Sequence, residues 1–113
     1  MKKVIHKNLA SGRWYNFSLS EQLANIGSEF NRTLHWQEKG DKLNKEKSFE
    51  RLLELIDLTI SDKRWLSRSQ EILRLREVIC DFFLGDNVYS ISPEILKNYF
   101  LYFALRSANK LNK

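Results

Sequence analysis

Helix breakers are scarce in this chain. One proline and four glycines in 113 residues argue against the many tight turns that a fold of short strands needs, and for long helices. Cysteine occurs once, at Cys80, so no internal disulfide can form, which suits a reducing compartment. The longest apolar run, "YFLYFAL" from Tyr99 to Leu105, falls far short of the roughly 20 residues that span a bilayer. The basic start "MKKVIHKNL" lacks the apolar stretch of a signal peptide. The expectation is a cytoplasmic protein with no membrane contact.

Acids are missing from both ends. Before Ser18 there are Lys2, Lys3, Lys7 and Arg13 and no acid; from Lys97 onward there are Lys97, Arg106, Lys110 and Lys113 and again none. The middle holds eleven Lys and Arg against fourteen acids, a net −3 inside a chain of net +5. An acidic middle between two basic ends says more than the total. At this length a single domain buries roughly two thirds of its unfolded surface and needs no metal or disulfide to hold it.

Four helices are legible from their starts and stops. The first begins after Ser18, where "SLSE" forms a capping box. Its apolar stripe is Leu19, Leu23, Ile26, Phe30 and Leu34, with Gly27 on the border as a place where another helix comes close, and Gly40 as its left-handed stop. The second runs from about Leu43 to Ser61, burying Phe49, Leu52, Leu53, Ile56 and Ile60 beside an acidic edge of Glu46, Glu50 and Asp57. The third, about Ser67 to Leu84, buries Ile72, Leu75, Ile79, Phe82 and Phe83 and stops at Gly85. The fourth starts at Ser92 and Pro93 with Glu94 in its first turn. Ile95, Tyr99 and Phe103 form one face of it; Leu101, Ala104, Leu105 and Ala108 form a nearly opposite apolar face. A helix apolar on two sides lies deep in a core or meets a second chain, so that face is the candidate oligomer interface. The predicted fold is all-α, an up-down-up-down four-helix bundle over residues 18–113, preceded by a basic segment, 1–17.

Chemistry has little to stand on. His6, His35 and Cys80 are scattered and form no ligand set, and the Glu-x-x-His pairs of a bundle di-metal site are missing. No glycine-rich phosphate loop or GxSxG is present. Neither a catalytic residue, a metal nor a cofactor is therefore assigned. Arg76 falls within the third helix's buried stripe, where the acidic edge of the second helix can meet it. The first reading is an ion pair that sets helix register; an Arg76–Asp81 catalytic pair is the sharper alternative.

Topology supplies the functional expectation. An up-down bundle brings "SGRWYNF", "DKRWLSR" and "RSANKLNK" to one pole. That pole collects Lys2, Lys3, Lys7, Arg13, Trp14, Lys63, Arg64, Trp65, Arg68, Arg106, Lys110 and Lys113. Basic side chains with interleaved aromatics suit phosphate contact plus base stacking. The bland alternative is solvated terminal lysines, with Trp14 and Trp65 capping the core. The candidate nucleic-acid residues are Arg13, Trp14, Lys63, Arg64, Trp65, Arg68, Arg106 and Lys110.

The segments "SLSEQLANIGSEFNRTLHW", "FERLLELIDLTISD" and "RLREVICDFFLGDNVY" resemble a group of small uncharacterised prokaryotic four-helix-bundle proteins, which implies a shared fold. In architecture the chain is also similar to HEPN-type bundles and to the basic, oligomeric accessory bundles of reverse-transcriptase retroelements. HEPN ribonucleases carry an Arg-x4-6-His motif; from Arg76 that spacing reaches Asp81, and His35 follows Arg32 too closely. The sequence thus leads to a non-enzymatic, self-associating binding or adaptor bundle for RNA or DNA. The alternatives are a HEPN-like enzyme or toxin-system component, and a purely structural partner of another protein.

Overall fold

The computed structural model describes residues 12–111. Among them are four α-helices, α1 (Leu19–Lys39), α2 (Lys42–Ile60), α3 (Ser69–Leu84) and α4 (Pro93–Leu111), and no strand. Two 3-10 helices, Arg13–Asn16 and Lys63–Arg68, precede α1 and α3. The protein is an all-α four-helix bundle. No described helix is long and apolar enough to cross a membrane.

Local chemistry sets each boundary. The Ser18 Oγ accepts from the Glu21 amide at 3.1 Å, and the Glu21 carboxylate accepts from the Ser18 amide at 3.0 Å, so two amides at the helix start are satisfied reciprocally. Gly40 ends α1 at φ 74; its amide and that of Asp41 return to the carbonyls of Gln37 and Trp36. Asp41 then caps α2 by accepting from the Asn44 amide. Only two residues therefore separate α1 from α2, which forces the pair to run antiparallel.

Helix α1 is the central element. Its five expected apolar residues are all buried, and it packs closely on both α2 and α4. Phe30, fully buried, gathers the rings of Phe82, Phe83 and Phe100 at 5.6–6.1 Å, distances at which aromatic pairs add attraction beyond area alone. Helix α3 packs on α2. It stands farther from α4, and side chains bridge that seam: the Tyr99 hydroxyl on α4 donates to Glu71 on α3 at 3.1 Å.

Three helical stripes differ from the periodicity reading, the third only in Phe82 of α3, which is half-buried. In α2, Leu55 and Thr59 are buried whereas Leu53 and Ile60 are half-buried. In α4 the core face is Leu96, Phe100, Phe103 and Ser107, and Ile95 is 55% exposed. The sequence has apolar residues at both registers of α4, and the partner helix chooses between them. The choice is made at Gly27. A methyl group there would meet the Phe100 Cβ at 2.5 Å, so only glycine lets Phe100 of α4 lie against the α1 backbone.

This contact yields a prediction. Alanine favours a helix interior over glycine by about 1 kcal/mol, yet Gly27→Ala should destabilise the bundle by about 1–3 kcal/mol through overpacking. Thermal unfolding checks it; an unchanged or raised Tm contradicts the close approach.

Candidate functional site

One end of the bundle is organised by a closed ring of four side chains. Gln22, fully buried on α1, donates to the Asp62 carboxylate at 3.0 Å and to the Trp14 carbonyl at 3.0 Å. Asp62 precedes the 3-10 helix Lys63–Arg68 and accepts from the Arg64 amide and from Nε and Nη2 along one edge of its guanidinium, at 2.7–3.1 Å. The Arg64 guanidinium lies 4.4 Å from the centre of the Trp65 ring, within cation–π range. The Trp65 indole N–H closes the ring by donating to the Gln22 Oε1 at 2.9 Å. Arg64 also donates to the Phe17 carbonyl at 2.7 Å. Its neighbouring guanidinium holds the Asp62 carboxyl below the usual carboxylate range, despite an opposing effect of burial. The ring fixes the plane of Trp65 and the path of the chain between α2 and α3.

Beside this ring is a cleft of about 310 Å³ lined by Ser18, Leu19, Ser20, Trp65, Arg68, Tyr102, Phe103 and Arg106. It lies where the α3–α4 seam reaches the pole, so helix direction alone brings the start of α1, the lead-in to α3 and the end of α4 together. Arg68 grips Glu71 through Nε and Nη2 at 2.8–3.0 Å. Glu71 also accepts from Tyr99; burial, then the nearby carboxylate, pushes the Tyr99 phenol far above its ordinary value, so it remains a donor. Arg106 reaches the Tyr102 hydroxyl at 3.2 Å. The cleft thus presents two arginines, two aromatic walls and hydroxyl groups, which suits an anion carrying a flat group. A second groove of about 460 Å³, lined by Asn31, Leu34, His35, Glu38, Lys97, Asn98 and Leu101, mixes Glu38 with Lys97 and has no such bias.

The predicted pole residues separate into three groups. Trp65, Arg68 and Arg106 line the cleft, and Arg13 and Lys63 are exposed nearby in sequence to its lining and to the ring. Trp14 is a correction: it is completely buried and its indole N–H donates to the Thr59 hydroxyl at 3.0 Å, so no base can stack on it in this fold. Arg64 is paired with Asp62 and Phe17 and stacked on Trp65, yet its side chain keeps 43% of its surface exposed, as Arg68 does beside Glu71. The side chain of Lys110, with Lys2, Lys3, Lys7 and Lys113, lies outside the described residues. The periodicity reading missed Gln22, Asp62 and Tyr102. Asp62 had a local signal, an aspartate two residues before Arg64 at a helix start; Gln22 had none, because its partners are about 40 residues away in the chain.

Comparison with protein-family models, with curated proteins and with solved structures finds no match for this chain.

The proposed alternative chemistry is not brought together. Arg76 pairs with Asp57 of α2 at 2.8 Å, the register contact expected from the acidic edge. Asp81 accepts instead from the amides of Val88 and Tyr89 at 3.0 and 3.2 Å, fastening the loop after α3. Burial pushes the Cys80 thiol up, which keeps it protonated near neutrality. Among the described residues no group of three His, Cys, Asp or Glu is placed to hold a metal.

The ring predicts an acid signature. Because the folded Asp62 pKa is depressed, its contribution is present above the unfolded value near 4 and is lost as pH falls through the folded value. Asp62→Ala should cost about 1–3 kcal/mol at neutral pH, by unpairing buried donors. The stabilities of variant and wild type should converge below about pH 4. Denaturant melts across this range provide the check; a constant gap down to low pH contradicts the role given to Asp62.

Proposed function

We propose that this protein is a non-enzymatic, self-associating bundle that binds single-stranded nucleic acid at its basic pole. The observation that carries the reading is the cleft, where Arg68 and Arg106 stand beside Trp65 and Tyr102. Exposed Lys63 and Arg13 extend the positive charge beyond it. A strand's phosphates meet the cations and release counterions, and its bases use the aromatic faces, a sequence-tolerant mode of binding. Trp65 offers a preformed platform, since its N–H bond and the Arg64 stack already set its orientation; little ordering then opposes binding.

Self-association rests on the outward face of α4. Ile95, Leu101 and Leu105 are each 52–57% exposed, and Ala108 lies on the same outer side, with Ala104 half-buried at its edge. Large apolar side chains clustered on one helix face mark a surface for another chain.

Titration of labelled single-stranded RNA and DNA tests the binding. Affinity should fall with salt at a logarithmic slope of about −0.7 per phosphate neutralised, and Arg106→Gln should flatten that slope by roughly the same amount. Tyr102→Ala should weaken binding by about 1–3 kcal/mol with little change in slope. Absence of binding at low salt overturns the reading.

For self-association, wild type should sediment as an oligomer, and Leu101→Glu or Leu105→Glu should shift it toward monomer. A monomeric wild type at tens of micromolar, roughly the weak end of ordinary interface affinities, overturns that part.

A further inference from the structure

Building on the self-association reading, we propose that a second copy of this chain pairs with the first through α4, the two helices running antiparallel along one seam. Glu94, Asn98, Leu101, Leu105 and Ala108 follow one another at alternating steps of four and three residues, the spacing that keeps a stripe turned toward a facing helix. All five are exposed, and Leu101 and Leu105 keep 52% and 57% of their surface in water. On the nearly opposite side, Leu96, Phe100, Phe103 and Ser107 are buried and repeat the same steps. One helix thus carries two seams, one filled by its own bundle and one open. Tyr102 and Arg106 each follow a seam leucine directly, about 100° further round the helix, so the cleft wall stays outside the contact.

Charge sets the direction. Arg106 stands near the C-terminal end of α4, at the basic pole, and Glu94, the acid of its first turn, stands at the other end. A parallel pair sets two basic poles side by side and Glu94 against its own copy. An antiparallel pair separates the poles by a 19-residue helix, about 28 Å, well beyond the Debye length of about 8 Å at physiological salt. It also opposes the two helix dipoles. Register follows from burying no charge. With Leu101 of each copy against Leu105 of the other, four leucines fill the centre, Asn98 and Ala108 flank them, and Glu94 falls past the end of the contact. A helix face about 28 Å long and 10 Å wide supplies only part of the roughly 800 Å² per partner of a stable interface. The groove beside the seam adds to it: Leu101 lines it with Leu34 and His35 of α1, so a helix laid along the seam covers the groove as well.

The test uses the full-length protein carrying Cys80→Ser, which removes its one native thiol. Asn98→Cys and Ala108→Cys are prepared separately, with tags of different mass, and treated with a short bis-maleimide, each alone and after mixing and subunit exchange. Both positions are exposed, so Tm should be unchanged. The mixture should give the mixed crosslink, and each variant alone should lose it, because position 98 faces position 108 of the other copy. Sedimentation of wild type should stop at the dimer, since a two-fold pair closes on itself. If each variant crosslinks to itself, the helices run parallel; the arrangement falls and self-association stands. If a dimeric sample gives no crosslink at all, or the oligomer is larger than a dimer, this seam is overturned and self-association stands. If wild type is a monomer, both fall.

Discussion

The Gln22–Asp62–Arg64–Trp65 ring is the interaction on which the basic pole depends. Asp62 is almost fully buried, and an isolated carboxylate there would be too costly to keep ionised. It is kept charged by donors on α1 and on the turn that follows α2, so the cost of burial is offset only when those elements are docked. Gln22 uses both ends of its amide in the same network and also holds the Trp14 carbonyl. The N-terminal 3-10 helix, α1 and the α2–α3 connection are therefore tied at one point. Among the described residues, no buried side-chain polar atom lacks a partner; a fully satisfied network specifies one arrangement where a partly satisfied one would not.

This rigidity has a consequence for the cleft. Trp65 is neither a simple core plug nor a loose surface aromatic. Its edge is anchored, one face is covered by Arg64, and the ring still lines the cleft. Across from it, Tyr102 and Arg106 stand one helical turn apart on α4 and touch each other. The rigid wall comes from the ring network and the adaptable wall from an exposed helix face. The wider α3–α4 seam provides the space, because large aromatic side chains and the Tyr99–Glu71 bond fill its interior but leave its polar end open.

The same helix carries two surfaces of different character. Leu101 and Leu105 face outward beside Tyr102 and Arg106, so the apolar face and the cleft wall adjoin on α4. A ligand proposed for one and a second chain proposed for the other would therefore meet on α4. The Arg76–Asp57 pair, with side chains 35% and 40% exposed, belongs to neither surface. As a solvent-screened pair it adds little net stability, and its role is to align α3 on α2.

What the sequence determined by itself is the set of signals that act within a few residues. The Ser18 capping box, the left-handed Gly40, the Ser92–Pro93 start and the apolar stripe of α1 are local, and each is legible because its partners are three or four positions away. The all-α bundle and the meeting of three basic segments at one pole follow from helix lengths and short connections. Only the tertiary structure decided which face of α4 is buried, because Ile95/Tyr99/Phe103 and Leu96/Phe100/Phe103 are both apolar and the space at Gly27 selects the second. Only the tertiary structure separated Trp14 from Trp65: both stand beside arginines in the sequence, but Thr59 and Gln22, 45 and 43 residues away, bury one in the core and leave the other at the cleft. Arg64 likewise reads as an unpaired cation in the sequence, and its pairing depends on Asp62 being buried against a glutamine on another helix. Long-range partners carry no periodicity, so packing alone decides how these residues are used.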